Sequence, residues 1–275
     1  MRLLAGEVRK LLRRPASSVT LGIELAIIVI IYVAVAARFG SVQVSNSNQL
    51  QEREGIRLLI TFPNAYGGAL AFVTGLGGLH AMAFAAAAAG ADWGWGMVKV
   101  AVARGESRTR YILAKLAGVE LLLVLGFAMS FGVAVAAAVV AGRIAGLPAT
   151  GFDDPATLEQ LPGELWRGYL GIAEQAAIGF AIATLARSQL AGLGAGIALY
   201  FTEQFATIFL PDVVKYLPFH VATAAVGVTV AAGAGGGGGG AAHLDQATAL
   251  LLVIAYLVAG AVVSAVFVER AEISG

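Results

Sequence analysis

Four glutamates lie inside long apolar stretches of this sequence: Glu24, Glu120, Glu174 and Glu203. An ionisable side chain in such surroundings is costly unless it faces protein or water, so each is a candidate for function. Glu174 is followed by Gln175. Glu203 is likewise followed by Gln204, so both positions combine a carboxylate with an amide. Such pairs, and Glu120, suit the polar lining of a path through the protein, but they equally suit hydrogen bonds that only hold helices together.

A compact polar segment, the connector (residues 92–110), separates two of the longest apolar stretches. Its candidate contact residues, with a lysine just beyond it, are Asp92, Trp93, Trp95, Gly96, Met97, Arg104, Gly105, Ser107, Arg108 and Lys115. Aromatic and arginine side chains are the usual anchors of a small protein interface. Tryptophans also gather at membrane surfaces, and the two interpretations are compatible. The connector is therefore a candidate surface for a partner in water.

Other sites are poorly supported. The chain has no cysteine, which excludes thiolate metal sites and cysteine nucleophiles. His80 stands alone, and His220 with His243 provides too few ligands for zinc. Asp153 and Asp154 precede a proline, a pattern more typical of a turn and helix cap than of a cation site. We therefore predict no metal site and no catalytic group.

The glycine-rich run at 233–240 is not a phosphate-binding loop. A nucleotide cradle requires Gly-x-x-x-x-Gly-Lys-Ser/Thr between a strand and a helix. Here two alanines and a histidine follow the last glycine. The chain therefore has no nucleotide-binding motif, and we expect no cofactor in it.

The composition indicates the elements that must position these residues. Apolar residues make up 59% of the 275 residues, charged residues 13%, and the mean hydropathy is +0.82. A soluble protein carries about 25% charged residues. Six apolar runs are long enough to cross a bilayer, at about 19–37, 65–91, 111–141, 165–186, 190–210 and 247–268. Backbone groups in lipid must be satisfied within their own segment, so we predict an all-α polytopic membrane protein with six transmembrane helices.

Two segments lie outside these spans. Residues 1–16 repeat leucines at helical spacing opposite arginines and lysines, which predicts an amphipathic helix in the membrane interface, ended by Pro15. Residues 17–275 form a single transmembrane domain. Within it, 211–246 is predicted to be a re-entrant or outer hairpin followed by a flexible glycine linker, before the last span.

The basic residues predict the orientation. Two thirds of the 18 lysines and arginines fall on the side of the N-terminus and the connector. Since such residues concentrate on the cytoplasmic side, we expect a multi-pass protein of the cytoplasmic membrane with both termini and the connector in the cytoplasm.

This layout resembles the permease subunits of ABC transporters of the ABC-2 type. Their connectors often contain an acidic residue, a Gly-Thr pair, a small apolar stretch, Arg-Gly or Arg-Pro before Ser-Arg, and a lysine opening the next span. Here Asp92 takes the acidic place, Gly96-Met97 stands for Gly-Thr, and Arg104-Gly105-Glu106-Ser107-Arg108 is followed by Lys115. Aspartate for the usual glutamate and Met97 for threonine are departures, and the second removes a hydroxyl.

The resemblance implies that the connector is a coupling helix seated on a separate ATP-binding subunit. It implies two permease copies with two ATPase copies, ATP and Mg²⁺ held by the ATPase, membrane lipids around the spans, and no nucleic acid. It favours export. The alanine- and glycine-rich spans favour a hydrophobic or amphipathic substrate. The alternatives are an intramembrane enzyme acting on lipid or peptide, and an ATP-independent channel or secondary carrier.

Overall fold

The fold is a bundle of helices. The computed structural model describes residues 2–227 and 244–271, and every regular element in them is helical. The helices are α1 (Arg2–Leu12), α2 (Pro15–Ser41), α3 (Ser47–Ile60), α4 (Asn64–Gly94), α5 (Met97–Ala103), α6 (Arg108–Ile144), α7 (Pro155–Ala186), α8 (Gln189–Phe209), α9 (Pro211–Val214), α10 (Pro218–Val226) and α11 (Gln246–Arg270). The glycine linker predicted at 233–240 lies outside the described residues.

Five helices of the described part, α2, α4, α6, α7 and α11, are long and apolar enough to cross a membrane. They coincide with five of the six predicted spans, so the prediction of a polytopic helical membrane protein is confirmed. The predicted span at 190–210 coincides with α8, which has 21 residues but is not among the five. Glu203 and Gln204 interrupt its apolar run. The sixth span stays a prediction.

Helices α4 and α7 form the centre of the bundle, and small residues let them approach closely. A Cβ on Gly179 of α7 would overlap the backbone oxygen of Met82 on α4, and one on Gly78 of α4 would overlap the side chain of Gln175. On the other side of α7, a Cβ on Gly260 of α11 would lie 2.8 Å from the backbone oxygen of Ala177. The many alanines and glycines therefore serve close packing within this chain.

One end of the bundle, which we call the connector end, carries α5. The C-terminal end of α4 lies there against the turn between α7 and α8, since a Cβ on Gly90 would overlap the backbone of Gln189. Two of the three glycines at the start of α8 pack inward, Gly192 against Ala183 and Gly196 against Met82, whereas Gly194 is exposed. The small-residue spacing in this stretch thus serves a contact within the chain. Helix α1 and the last turn of α11 also lie at this end, in contact with α6.

Beyond α8 the chain turns back into the bundle. The backbone N–H of Phe219, at the start of α10, donates to Glu203 Oε2 at 3.0 Å, six residues before α8 ends. At the other end of α10, Gln246 donates to the carbonyl oxygens of Ala225 and Val226 at 3.2 and 3.3 Å. Helix α10 therefore runs from the interior of the bundle to the start of α11.

Aspartates cap α7 and α11. Asp154 Oδ2 accepts from the backbone N–H of Thr157 at 2.9 Å, and Asp245 Oδ1 accepts from that of Thr248 at 3.0 Å. The hydroxyl of each threonine donates to the same carboxylate. Hydrogen bonds from these hydroxyls are the main reason why the pKa of both carboxyls lies below the usual range, and hydrogen bonds from backbone N–H groups are the second. The helix cap predicted from the two aspartates before Pro155 is confirmed.

These caps predict a loss of stability in acid. A carboxyl whose pKa is lower in the folded state contributes stability that is present above its unfolded value of about 3.9 and is lost as pH falls through the folded value. Asparagine also caps helices but does not titrate. As the pH falls below about 4, we expect the double variant Asp154→Asn with Asp245→Asn to lose less stability than the wild type loses. The measurement is thermal unfolding of both proteins from about pH 6 to pH 3. Parallel profiles of the two proteins would contradict this.

Candidate functional site

The connector forms a short helix held between two glycine turns. Helix α5 begins after Gly96, whose φ is 65°, and the chain leaves it through Gly105, whose φ is 82°. Both lie in the left-handed region that glycine adopts without steric cost. Ser107 then caps α6, since its Oγ accepts from the backbone N–H of Arg110 at 3.1 Å. Three residues assigned to the connector from sequence, Gly96, Gly105 and Ser107, thus set its shape.

The outer face of the connector carries aromatic, apolar and basic side chains. Trp95 is 65% exposed, and the guanidinium of Arg14 lies 4.8 Å from the centroid of its ring. Val100 and Arg104 are also exposed, whereas Met97 is half-buried and Val98 packs into the core. Trp95, Val100 and Arg104 form what we call the connector face. A face of this composition suits contact with another protein.

Trp93 has a different environment from Trp95. Its ring lies edge-on to Phe267 of α11, with centroids 6.4 Å apart, and the guanidinium of Arg187 lies 5.1 Å from its centroid. The side chain is half-buried. Trp93 therefore joins α4 to α11 and to the turn between α7 and α8.

Arg108 also contacts this chain. Its Nη1 donates to the carbonyl oxygens of Glu269 at 3.3 Å and Ala271 at 2.7 Å, and Thr109 donates to the Glu269 carboxylate at 2.8 Å. These bonds satisfy carbonyl groups at the C-terminal end of α11. Arg108 thus holds α11 against α6, a role that the spacing in the sequence did not indicate.

Asp92 and Lys115 are buried beneath the connector and form an ion pair. They are 1% and 0% exposed, so in this conformation their side chains contact this chain and offer no surface to a partner. They belong to a group that we call the inner ion cluster: Glu7, Lys10, Arg14, Asp92, Tyr111 and Lys115. Its members come from α1, α4 and α6 and from the residue before α2.

Asp92 is the centre of the inner ion cluster. It accepts from Lys10 at 3.2 Å and from Arg14 at 3.3 Å, and the Tyr111 hydroxyl donates to its Oδ2 at 2.5 Å. Lys115 pairs with Asp92, and its Nζ also lies 3.3 Å from Oε2 of Glu7. The cluster ties α1, α4 and α6 together just under the connector. Sequence reasoning missed Glu7, Lys10 and Tyr111. The available signal was Glu7, a lone acidic residue within the leucine pattern of α1.

The structure brings together some of the path candidates. Glu174, Gln175 and Glu203 are 0%, 2% and 0% exposed, and the two carboxyl groups lie close enough to interact electrostatically. Gln204 points outward and is exposed. Glu120 lies elsewhere, on α6, where the hydroxyl of Tyr169 lies 3.5 Å from its Oε2.

Glu174, Gln175 and Glu203 form, with His220, what we call the interior group. Sequence reasoning did not connect His220 with the other three residues. Its Nδ1 lies 3.2 Å from Glu203 Oε2, the oxygen that also accepts from Phe219. His243, which with His220 was judged to provide too few ligands for zinc, lies outside the described residues. Within residues 2–227 and 244–271 there is no group of three or more His, Asp or Glu side chains suited to a metal ion. The interior group is therefore a set of carboxylate and amide oxygens with one imidazole.

A comparison with protein-family models finds no match for this chain, and a comparison with curated proteins finds none either. Functional assignment therefore depends on the arrangement of the residues themselves.

Proposed function

We propose that this chain is the membrane-embedded permease subunit of an ATP-driven transporter of the ABC-2 type. In this proposal α8 is the sixth span, and both termini and the connector lie in the cytoplasm. Two copies assemble with two ATP-binding subunits, which hold ATP and Mg²⁺, and a hydrophobic or amphipathic substrate is exported between the permeases. The observation that carries the proposal is the connector face, which is exposed on and beside the short helix α5, next to the inner ion cluster that joins α1, α4 and α6.

The inner ion cluster gives the connector a mechanical role. A force on a flexible loop would be lost in bending of the loop, whereas α5 stands between α4 and α6, whose ends are joined by Asp92 and Lys115. Contacts of Lys10 and Arg14 with Asp92 extend this joint to α1 and the start of α2. Closure of the ATPase dimer on ATP binding would therefore displace these helices together. In this way the movement of the ATPase dimer on ATP binding would be transmitted to the membrane-spanning helices.

The proposal predicts that the connector face binds the ATPase. We expect Trp95→Ala with Arg104→Glu to reduce co-purification of the partner ATP-binding subunit by about tenfold or more, because interface tryptophan and arginine side chains dominate binding energy. The loss of permease-stimulated ATP hydrolysis should be similar. Both quantities are measured on the co-expressed complex.

The matched control is Trp166→Ala with Arg143→Glu. Trp166 is 59% exposed and Arg143 is exposed, so the same chemical change is made away from the connector. This control should leave co-purification and hydrolysis unchanged. Equal behaviour of the two double variants, or the absence of any ATP-binding subunit that co-purifies with the wild type, would refute the proposal.

A further inference from the structure

The interior group contains hydrogen-bond acceptors that have no donor. Both carboxylate oxygens of Glu174, Oε1 of Gln175 and Oε1 of Glu203 are buried and accept no hydrogen bond within the described residues. We call Glu174, Gln175 and Glu203 the acceptor cluster. Buried polar atoms in proteins nearly always have a partner, so this concentration of unpaired oxygens requires an explanation.

The acceptor cluster lies near mid-membrane depth. Helix α7 runs toward the connector end and α8 runs away from it, with only a short turn between them. At 1.5 Å per residue, Glu174 lies about 18 Å before the end of α7, and Glu203 about 21 Å after the start of α8. The two residues are therefore at nearly the same level of a hydrocarbon core about 30 Å thick. Lipid at that depth supplies no donors.

The oxygens of the cluster are held in place by the protein. Glu203 Oε2 is fixed by the N–H of Phe219 and by His220, which leaves Oε1 available. Gln175 fits against α4 only because Gly78 has no side chain. Glu174 differs, since no described residue donates to either of its oxygens. A carboxylate that only joined helices would be expected to have a donor on a neighbouring helix.

The chemistry of the cluster selects its ligand. Carboxyl groups disfavour an anion and stabilise a cation when they are ionised, and unpaired acceptor oxygens require N–H or O–H donors. A hard metal ion takes six or more oxygen ligands, and the described residues provide no suitable group. The aromatic pair Tyr200 and Phe219, with centroids 5.0 Å apart, lies beside Glu203 and suits the apolar part of a ligand.

We propose that the acceptor cluster binds the primary ammonium group of an amphipathic amine, with Glu174 as its main contact. Each N–H of the ammonium would donate to one of the unpaired oxygens of Glu174, Gln175 and Glu203. The three side chains of the cluster are buried in this conformation, whereas His220, which contacts Glu203, has a side chain that is 26% exposed. That the bound amine is the exported substrate rests on the proposed function.

The test uses the full chain in lipid nanodiscs, with empty nanodiscs as the background. The probe is radiolabelled decylammonium, and its competitors are unlabelled decylammonium, decyltrimethylammonium and decyl sulfate. The trimethyl compound has the same charge but no N–H donor. We expect specific binding of decylammonium, competition at least about tenfold weaker by decyltrimethylammonium, and none by decyl sulfate. This series needs no variant.

The variant is Glu174→Gln, with Glu159→Gln as the matched control on the exposed part of α7. Glu174→Gln removes the ionisable group but no hydrogen bond within the described residues, so the protein should fold, as thermal unfolding will show. We expect it to weaken decylammonium binding about tenfold or more, and Glu159→Gln to leave binding unchanged. Binding no greater than in empty nanodiscs, equal affinity of the two variants, or equal competition by decyl sulfate would overturn the proposal.

The two proposals can fail separately. The connector variant Trp95→Ala with Arg104→Glu should bind decylammonium as the wild type does, because the acceptor cluster is remote from the connector. Specific amine binding without any ATPase partner would support the ammonium site while refuting the proposed function, and would favour an ATP-independent carrier. Stimulated ATP hydrolysis without amine binding would support the permease and overturn the ammonium site.

Discussion

Asp92→Asn is expected to lower the free energy of unfolding by about 3–5 kcal/mol, since it removes one partner of a buried ion pair and leaves the other uncompensated. Lys115 is fully buried and would keep only Glu7 as a counter-ion, shared with Lys10. The measurement is denaturant unfolding of the purified protein in detergent micelles. Loss of the cluster should also detach α1, which increases proteolysis at its basic residues.

Two controls show whether the loss of stability comes from leaving a charge buried without its partner or from removing any charge. The double variant Asp92→Asn with Lys115→Met removes both charges, and it should recover about 2 kcal/mol or more relative to Asp92→Asn. Glu54→Gln breaks an exposed pair with Arg57, whose side chains are 51% and 49% exposed, and should cost less than about 1 kcal/mol. If the double variant is no more stable than Asp92→Asn, the burial of charge is not the cause.

Gly90→Ala is the second change with a large expected effect. The added methyl group would overlap backbone atoms of Gln189 and lie 2.7 Å from the carbonyl carbon of Ser188. Backbone cannot yield as a flexible side chain can, so α4 and the turn between α7 and α8 must move apart. We expect a net loss of about 3 kcal/mol in the same unfolding experiment, despite the higher helix propensity of alanine.

Gly94→Ala is the matched control on the same helix. A Cβ at Gly94 has no neighbouring atom within 4 Å, so the variant should be as stable as the wild type or more stable by up to about 1 kcal/mol. Equal losses in the two variants would mean that the close approach at Gly90 does not limit stability.

The long helices were predictable because hydrophobicity alone specifies them. The predicted runs 65–91 and 165–186 lie within α4 and α7. Helix α7 begins earlier than its predicted run, because Asp154 caps it. Pro15 was predicted to end the first helix, but it occupies the first turn of α2, where a missing N–H costs nothing. The stretch from 211 was harder to predict, because α10 is determined by a contact with Glu203 that no local pattern contains.

The site residues were predictable by type but not by partner. The residue types around the connector indicated a surface for a partner, yet nothing local distinguished Trp95, which is exposed, from Trp93, which is half-buried against α11. Asp92 and Lys115 were assigned to a partner because the sequence does not show which faces of α4 and α6 turn inward. Long-range pairing, such as that of Glu7 with Lys115, depends on the packing of whole helices.

The inner ion cluster also bears on the order in which the protein is made. All of its members lie between Glu7 and Lys115, so the cluster is complete once the chain has emerged from the ribosome as far as Lys115, in the first part of α6. Its charges can be neutralised before α7, the helix at the centre of the finished bundle, has been synthesised. The buried charges of α1, α4 and α6 can thus be paired during synthesis, before α7 is made and its small residues pack against α4.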